Sequence, residues 1–149
     1  MKPTATIGSL LGWKGRDVWA IAPDASVFEA IAMMAERGIG ALLVIEGGRL
    51  AGIVSERDYT RKVFLQGRSS KQTSVQEIMT APVYVASPND SVEDAMRLMT
   101  ERRVRHLPIV EGERIVGVVS IGDLVKWTIS AQEEHIAQLQ NFIAGSYPG

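Results

Sequence analysis

The chain has 149 residues, 46% apolar and 22% charged, enough for one compact domain or two small units sharing a core. A net charge of −1 gives no bulk pull toward nucleic acid or anionic membrane, and the absence of cysteine excludes a disulfide framework and thiolate metal sites. Two histidines leave an imidazole metal site unexpected, and no apolar run approaches the roughly 20 residues that span a bilayer.

The N-terminus, Met1-Lys2-Pro3-Thr4, has no apolar signal region, so a cytoplasmic address is expected. Arg16–Ala22 reads as extended. Val27, Ala30, Ile31 and Met34 then fall on one helix face, and Ser26 with Glu29 has capping-box spacing. Two β-branched runs, Ala41–Ile45 and Leu50–Val54, flank the turn residues Glu46–Arg49 and read as a hairpin, after which Ser55 opens another helix. Gln66–Ser74 is a polar linker without periodicity. Ala81–Ala86 is again extended; Val92, Ala95, Met96 and Met99 again form a helix face, started by Ser91 and Asp94. Leu107–Val110 and Ile115–Val119 give a second hairpin around Glu111–Arg114, and Ser120 opens the next helix. From Asp123 to about Ala144 one long helix is expected, with an apolar stripe of Leu124, Trp127, Ile136, Leu139 and Ile143, followed by a frayed end at Gly145–Gly149.

The second half is a copy of the first. Residues 23–58 align with 88–123 without a gap at an offset of 65, and 15 of 36 positions are identical, far more than unrelated segments share. Each copy reads roughly as β-α-β-β-α. The self-similarity defines the structural unit, here duplicated once, which implies a pseudo-twofold pair. The fold expected is α+β (α/β). Its parts are a first repeat with an N-terminal helix (1–65), a linker (66–74), a second repeat (75–128) and a helical extension with tail (129–149).

The strings Asp24-Ala-Ser-Val-Phe-Glu-Ala and Asn89-Asp-Ser-Val-Glu-Asp-Ala begin the copies, and Gly52-Ile-Val-Ser-Glu-Arg-Asp58 and Gly117-Val-Val-Ser-Ile-Gly-Asp123 end them. Together with Val75-Gln-Glu-Ile-Met79, which resembles the short helix before such repeats, they make residues 7–128 similar to a tandem pair of cystathionine β-synthase-type (CBS) repeats, a stand-alone Bateman-type module. The resemblance implies two repeats packed through their sheets, adenine nucleotide clefts between them, and frequent dimerisation.

The residues suit such a ligand. A strand entering a helix presents unpaired backbone N–H groups and a partial positive charge, a seat for phosphate. A carboxylate there can accept from both ribose hydroxyls. Asp58 and Asp123 are the candidates for that role, with Ser55 and Ser120 contacting ribose or phosphate. The resemblance implies a crossed arrangement, with Asp17, Trp19 and Ala20 walling the Asp123 cleft and Pro82, Tyr84 and Val85 walling that of Asp58. Ser-x-x-Asp is equally a plain capping box, worth about 0.5–2 kcal/mol.

The copies differ where phosphates would lie. Arg57 follows Glu56 in the first, with Arg61 placed to share an anion with it; Gly122 replaces Arg57 in the second. Arg103, Arg105 and His106 stand where the first copy has Gly38, Gly40 and Ala41. A three-residue gain in Gly12–Arg16 brings Lys14 and Arg16 to the mouth of the Asp123 cleft if the crossing holds. Two unlike sites are expected, one for a mononucleotide and one for a longer or NAD-type molecule.

Met33, Met34, Met96 and Met99 are expected in packing, His135 in solvent, and Pro108 at a strand edge facing a cleft. Trp13 and Trp19 suit either base stacking or packing. The function expected is a non-catalytic regulatory module in signal transduction, an energy or redox sensor binding AMP, ADP, ATP, NAD or NADH. It would form a homodimer read by an unidentified regulated protein. No catalytic cofactor, metal or membrane partner is expected, and no catalytic constellation is seen. The alternatives are a nucleic-acid binder using Arg61, Lys62, Arg68 and Lys71, and a purely structural dimerisation module.

Overall fold

In the computed structural model, which describes residues 5–146, Thr6 caps the first helix by accepting from the Ser9 N–H. That helix, α1 (Ile7–Lys14), ends at Gly15, whose φ of 109° few side chains tolerate. A two-residue strand β1 (Ala20–Ile21) leads to α2 (Val27–Arg37), then the hairpin β2 (Ala41–Glu46) and β3 (Arg49–Ser55). Gly47 and Gly48 both take positive φ, as a two-residue hairpin turn requires. A single helical turn α3 (Glu56–Tyr59) runs into a π-helical turn, Thr60–Phe64.

The second half repeats this with α4 (Val75–Ile78), α5 (Val92–Arg102), β4 (His106–Glu111), β5 (Arg114–Ser120) and α6 (Ile121–Ser146). Both hairpins carry an irregularity at the same place, Val44/Ile45 and Ile109/Val110. Ser26 and Ser91 cap α2 and α5 through Glu29 N–H and Asp94 N–H, while α3, α4 and α6 add the reciprocal carboxylate bond of a full capping box. The frayed end expected at Gly145–Gly149 is helical as far as Ser146; the remaining residues, and the side chain of Ile143, lie outside the described set.

Two departures from the expected β-α-β-β-α grammar have physical causes. In the first repeat β1 lies parallel to β2, and the Leu43 N–H donates to the Trp19 carbonyl at 3.1 Å. In the second, position 108 is proline, so the equivalent bond to Tyr84 has no donor. The extended segment expected over Ala81–Ala86 is therefore no strand and keeps a single parallel bridge, Ala86 to Ile109. Pro108 thus opens the β4 edge, while its own carbonyl still accepts from the Ala86 N–H.

The second departure is a crossing of the leading helices. α1, placed by chain order with the first repeat, buries Ile7, Leu10 and Leu11 in the core of the second, among Val92, Met99, Leu107, Val119 and Leu124. α4 buries Val75 and Ile78 in the first core, with Val27, Met34, Leu42 and Val54. Backbone bonds fix both crossings: Val92 N–H to the Ala5 carbonyl, and Val75 N–H to the Ala25 carbonyl. The glycines of the two Gly–x–x–Ser strings are where these helices dock. A Cβ on Gly117 would sit 2.7 Å from a Leu11 methyl, and one on Gly52 would sit 2.6 Å from the Met79 sulfur. The linker is also tied down, since the Ser70 and Thr73 carbonyls accept the first N–H groups of α2 from Phe28 and Val27.

Met34 and Met99 are buried in the two cores, and Met33 and Met96 pack against them. His135 is exposed. No helix among the described residues is long and apolar enough to cross a membrane.

Candidate functional site

Where β5 meets α6, the Asp123 carboxylate accepts from the Ser120 N–H at 2.8 Å, and the Asp123 N–H donates to Ser120 Oγ at 3.1 Å. Where β3 meets α3, Asp58 and Ser55 make the same pair of bonds at 3.0 and 3.2 Å, with Ser55 Oγ a further donor to Asp58 at 3.1 Å. Each motif therefore works as a helix cap, whatever else it does.

The surroundings of the two carboxylates differ. Asp58 Oδ1 lies 3.2 Å from Lys62 Nζ, one turn along its own helix, and Lys62 also donates to the Ile78 carbonyl. Arg57 and Arg61, expected to face a shared anion, are exposed, and the cation that reaches Asp58 is Lys62. Asp123 Oδ2 lies 2.6 Å from Lys14 Nζ, brought across by the crossed α1, and Lys14 donates to the Val118 carbonyl as well.

A cavity of about 380 Å³, within the range of small-molecule sites, opens at Asp123. Ser120, Asp123, Lys14 and Asp17 make its polar part, while Leu42, Leu43, Ile53 and Val118 of the two hairpins, with Ile39 just before β2, supply an apolar wall. Trp19 stands at the side with Arg37 stacked 4.1 Å from its ring centre, and His106 lies across from Gly40.

Burial acts to raise the Asp123 pKa, but the hydrogen bonds and charge of Lys14 and the Ser120 N–H outweigh it, and the carboxyl lies below its ordinary value. His106 is also lowered, mainly by burial, with Lys14 and Arg105 adding to the effect and Asp123 opposing it.

Of the residues singled out from sequence, the cavity gathers Asp123, Ser120, Asp17, Trp19, Lys14 and His106. Ala20 sits in β1 beside Leu43, Gly122 and Arg16 are exposed, and Arg105 faces outward while its carbonyl accepts from the Ile121 N–H. Pro82, Tyr84 and Val85 lie exposed on the segment that Pro108 leaves untied, with Tyr84 against Arg102. Trp13 packs edge-on against Trp127, 5.6 Å between ring centres, away from the cavity lining. Lys126 lines the cavity and was missed by sequence reasoning; the offset of 65 from Arg61 points to it.

A family model for the CBS domain matches residues 14–64 and 75–130. The CBS domain-containing protein CBSX3, mitochondrial, of Arabidopsis thaliana is 38% identical over 97% of this chain and 74% of its own length. The structure of a protein with CBS domains from Burkholderia ambifaria is 50% identical, covers 86% of this chain and 96% of its own, and superposes with a TM-score of 0.83. The CBS domain pair of protein MJ0100, solved with 5′-methylthioadenosine and S-adenosyl-L-methionine, shares the fold at a TM-score of 0.77 and 22% identity, over 87% of this chain and 99% of its own.

Proposed function

The chain belongs to the CBS-domain family, and from that premise we propose that it is a regulatory module that binds an adenine nucleotide in the cavity at Asp123. The observation that carries the reading is the meeting, in one cavity, of a helix-start carboxylate, an apolar strand wall and polar groups contributed by the other repeat. The purine lies against Leu43, Ile53 and Val118, and Asp123 accepts from the ribose hydroxyls. AMP, ADP, ATP and NAD(H) are the ligands in view, and the adenosyl compounds held by the MJ0100 pair support the general class. Occupancy ties Asp17 and Trp19 of the first repeat to Ser120 and Asp123 of the second, so it biases how the halves sit, and a regulated protein reads that bias. No catalytic step is assigned, and the module acts as a homodimer.

The test is thermal stability of wild type, Asp123→Ala and Asp58→Ala with each nucleotide. A ligand at about 100 times its Kd adds about 2.7 kcal/mol. Asp123→Ala is expected to lose that gain and Asp58→Ala to keep it. If no purine compound stabilises the wild type, the reading fails.

A second reading, a purely structural dimerisation module, is favoured by Val125, Ile129, Ile136 and Leu139, all exposed along α6. It predicts a dimer in solution whose stability ignores nucleotides.

A further inference from the structure

The Asp123 carboxylate is not idle: Lys14 Nζ sits 2.6 Å from Oδ2 and also donates to the Val118 carbonyl. Lys14 is the last residue of a helix whose Ile7, Leu10 and Leu11 are wholly buried in the second repeat, so the ammonium is aimed into the cavity from a fixed base. Its side chain and that of Asp123 are 29% and 20% exposed, which places the pair in a medium where charge is only partly screened. A second cation, Lys126, lines the same cavity.

Resting on the reading that a nucleotide's ribose meets Asp123, we propose that Lys14 makes this cavity select adenosines carrying a 5′-phosphate over neutral nucleosides and over cationic sulfonium nucleosides. The argument is one of charge. A ribose diol needs the lone pairs of both Asp123 oxygens, and Oδ2 already receives the Ser120 N–H and Lys14. A sugar that takes its place there loosens the Lys14 ion pair. A neutral nucleoside brings nothing to replace the lost partner, and a half-buried ammonium is left with the Val118 carbonyl alone. A phosphate restores a counter-ion to Lys14 while the sugar takes the carboxylate, and Lys126 adds to the attraction. A sulfonium sets positive charge against positive charge. Lys14 is a specificity-determining residue on this account, and the phosphate and the carboxylate exchange the same cation.

Titration calorimetry of adenosine, AMP and S-adenosylmethionine against wild type, Lys14→Met and Lys14→Arg tests it, with far-UV circular dichroism to establish that each variant is folded. Wild type is expected to bind AMP at least about tenfold tighter than adenosine, with S-adenosylmethionine weakest. Lys14→Met is expected to close the gap from both sides, with AMP weaker and adenosine tighter because Asp123 is released; Lys14→Arg keeps the preference. Binding of all three by wild type with equal affinity, or an unchanged AMP-to-adenosine ratio in Lys14→Met, overturns the selectivity and leaves the nucleotide reading standing. Silence from every ligand on every variant removes that reading and this inference together.

Discussion

Asp58 is paired from within its own helix, by Lys62 four residues on, whereas Asp123 is paired from across the molecule, by Lys14 on α1. The offset of 65 places Trp127 where the first repeat has Lys62, and that indole turns to Trp13 instead of to the carboxylate. One duplicated motif has thus reached charge balance by two routes. At Asp58 the lysine belongs to the same cap, so the local structure is self-contained. At Asp123 the balance depends on a helix from the start of the chain, and the cavity lies between the groups that must meet. The Ser-x-x-Asp motif is a helix cap at both ends, and at the second it is a cavity wall as well.

The crossed helices are the place to break this comparison. Leu11 is wholly buried beneath the second sheet and Ile78 nearly so beneath the first. Truncating either to alanine is expected to cost about 2–5 kcal/mol, read from urea unfolding midpoints. Only Leu11→Ala is expected to weaken ligand binding at Asp123 as well, because it loosens the base of Lys14. Equal loss of binding in Ile78→Ala would dissolve the distinction between the two ends.

The docking glycines sharpen it. Gly52→Ala meets the Met79 sulfur at 2.6 Å and the Thr80 backbone carbonyl at 3.0 Å, whereas Gly117→Ala meets only the branched end of Leu11. A side-chain tip can shift where a backbone carbonyl in a bridge to Ile53 cannot. Gly52→Ala is expected to cost about 1–3 kcal/mol and Gly117→Ala less, again by urea midpoints; the reverse order would mean that α1 is the more rigid of the two docked segments.

Much of this was legible in the residues. The repeat at 65 set out both hairpins, both capped helices and the matched Ser-x-x-Asp motifs, because period and turn chemistry are local. The resemblance suggested which leading segment faces Asp123, and Asp17, Trp19, Lys14 and His106 do line that cavity. Three things were not read. The crossing of α1 and α4 depends on which core accepts Leu11 or Ile78, and the apolar pattern of a short helix does not name its partner. The missing strand at Tyr84 follows from the N–H that Pro108 lacks, a one-atom consequence two elements away. The ion pair at Asp58 was not anticipated, since Arg57 and Arg61 were expected to face an anion of the ligand, although Lys62 holds the i,i+4 position that such pairs favour.

A smaller effect is expected at the helix ends that mark the difference between the copies. α2 ends at Gly38 with φ 67°, while α5 ends at Arg103 with φ 54° in the same left-handed region. A residue with a Cβ costs roughly 1–2 kcal/mol there, and glycine removes that strain but returns only part of it, because its greater freedom in the unfolded chain offsets the rest. Arg103→Gly is expected to stabilise by about 0.5–1 kcal/mol and Gly38→Ala to destabilise by about 1 kcal/mol, both measured by thermal unfolding.

The smallest effect is expected from acid, and it belongs to the second repeat alone, since His106 stands where the first has Ala41. Burial, with Lys14 and Arg105 beside it, holds the imidazole below its ordinary value against the pull of Asp123. Between that depressed value and the unfolded one near about 6.5, the unfolded chain binds a proton that the folded chain refuses. Stability therefore falls as pH drops below about 6.5, and it does so before the Asp123 carboxyl, itself held low, begins to take up its proton. His106→Gln is expected to flatten the change in urea midpoint between pH 7.5 and 5.5, while Asp123→Asn leaves a slope in that window and removes one only in stronger acid. A wild-type midpoint that is level across the upper window would mean that the cavity is wet enough to hydrate an imidazolium, and the apolar wall would then be a poor seat for a purine.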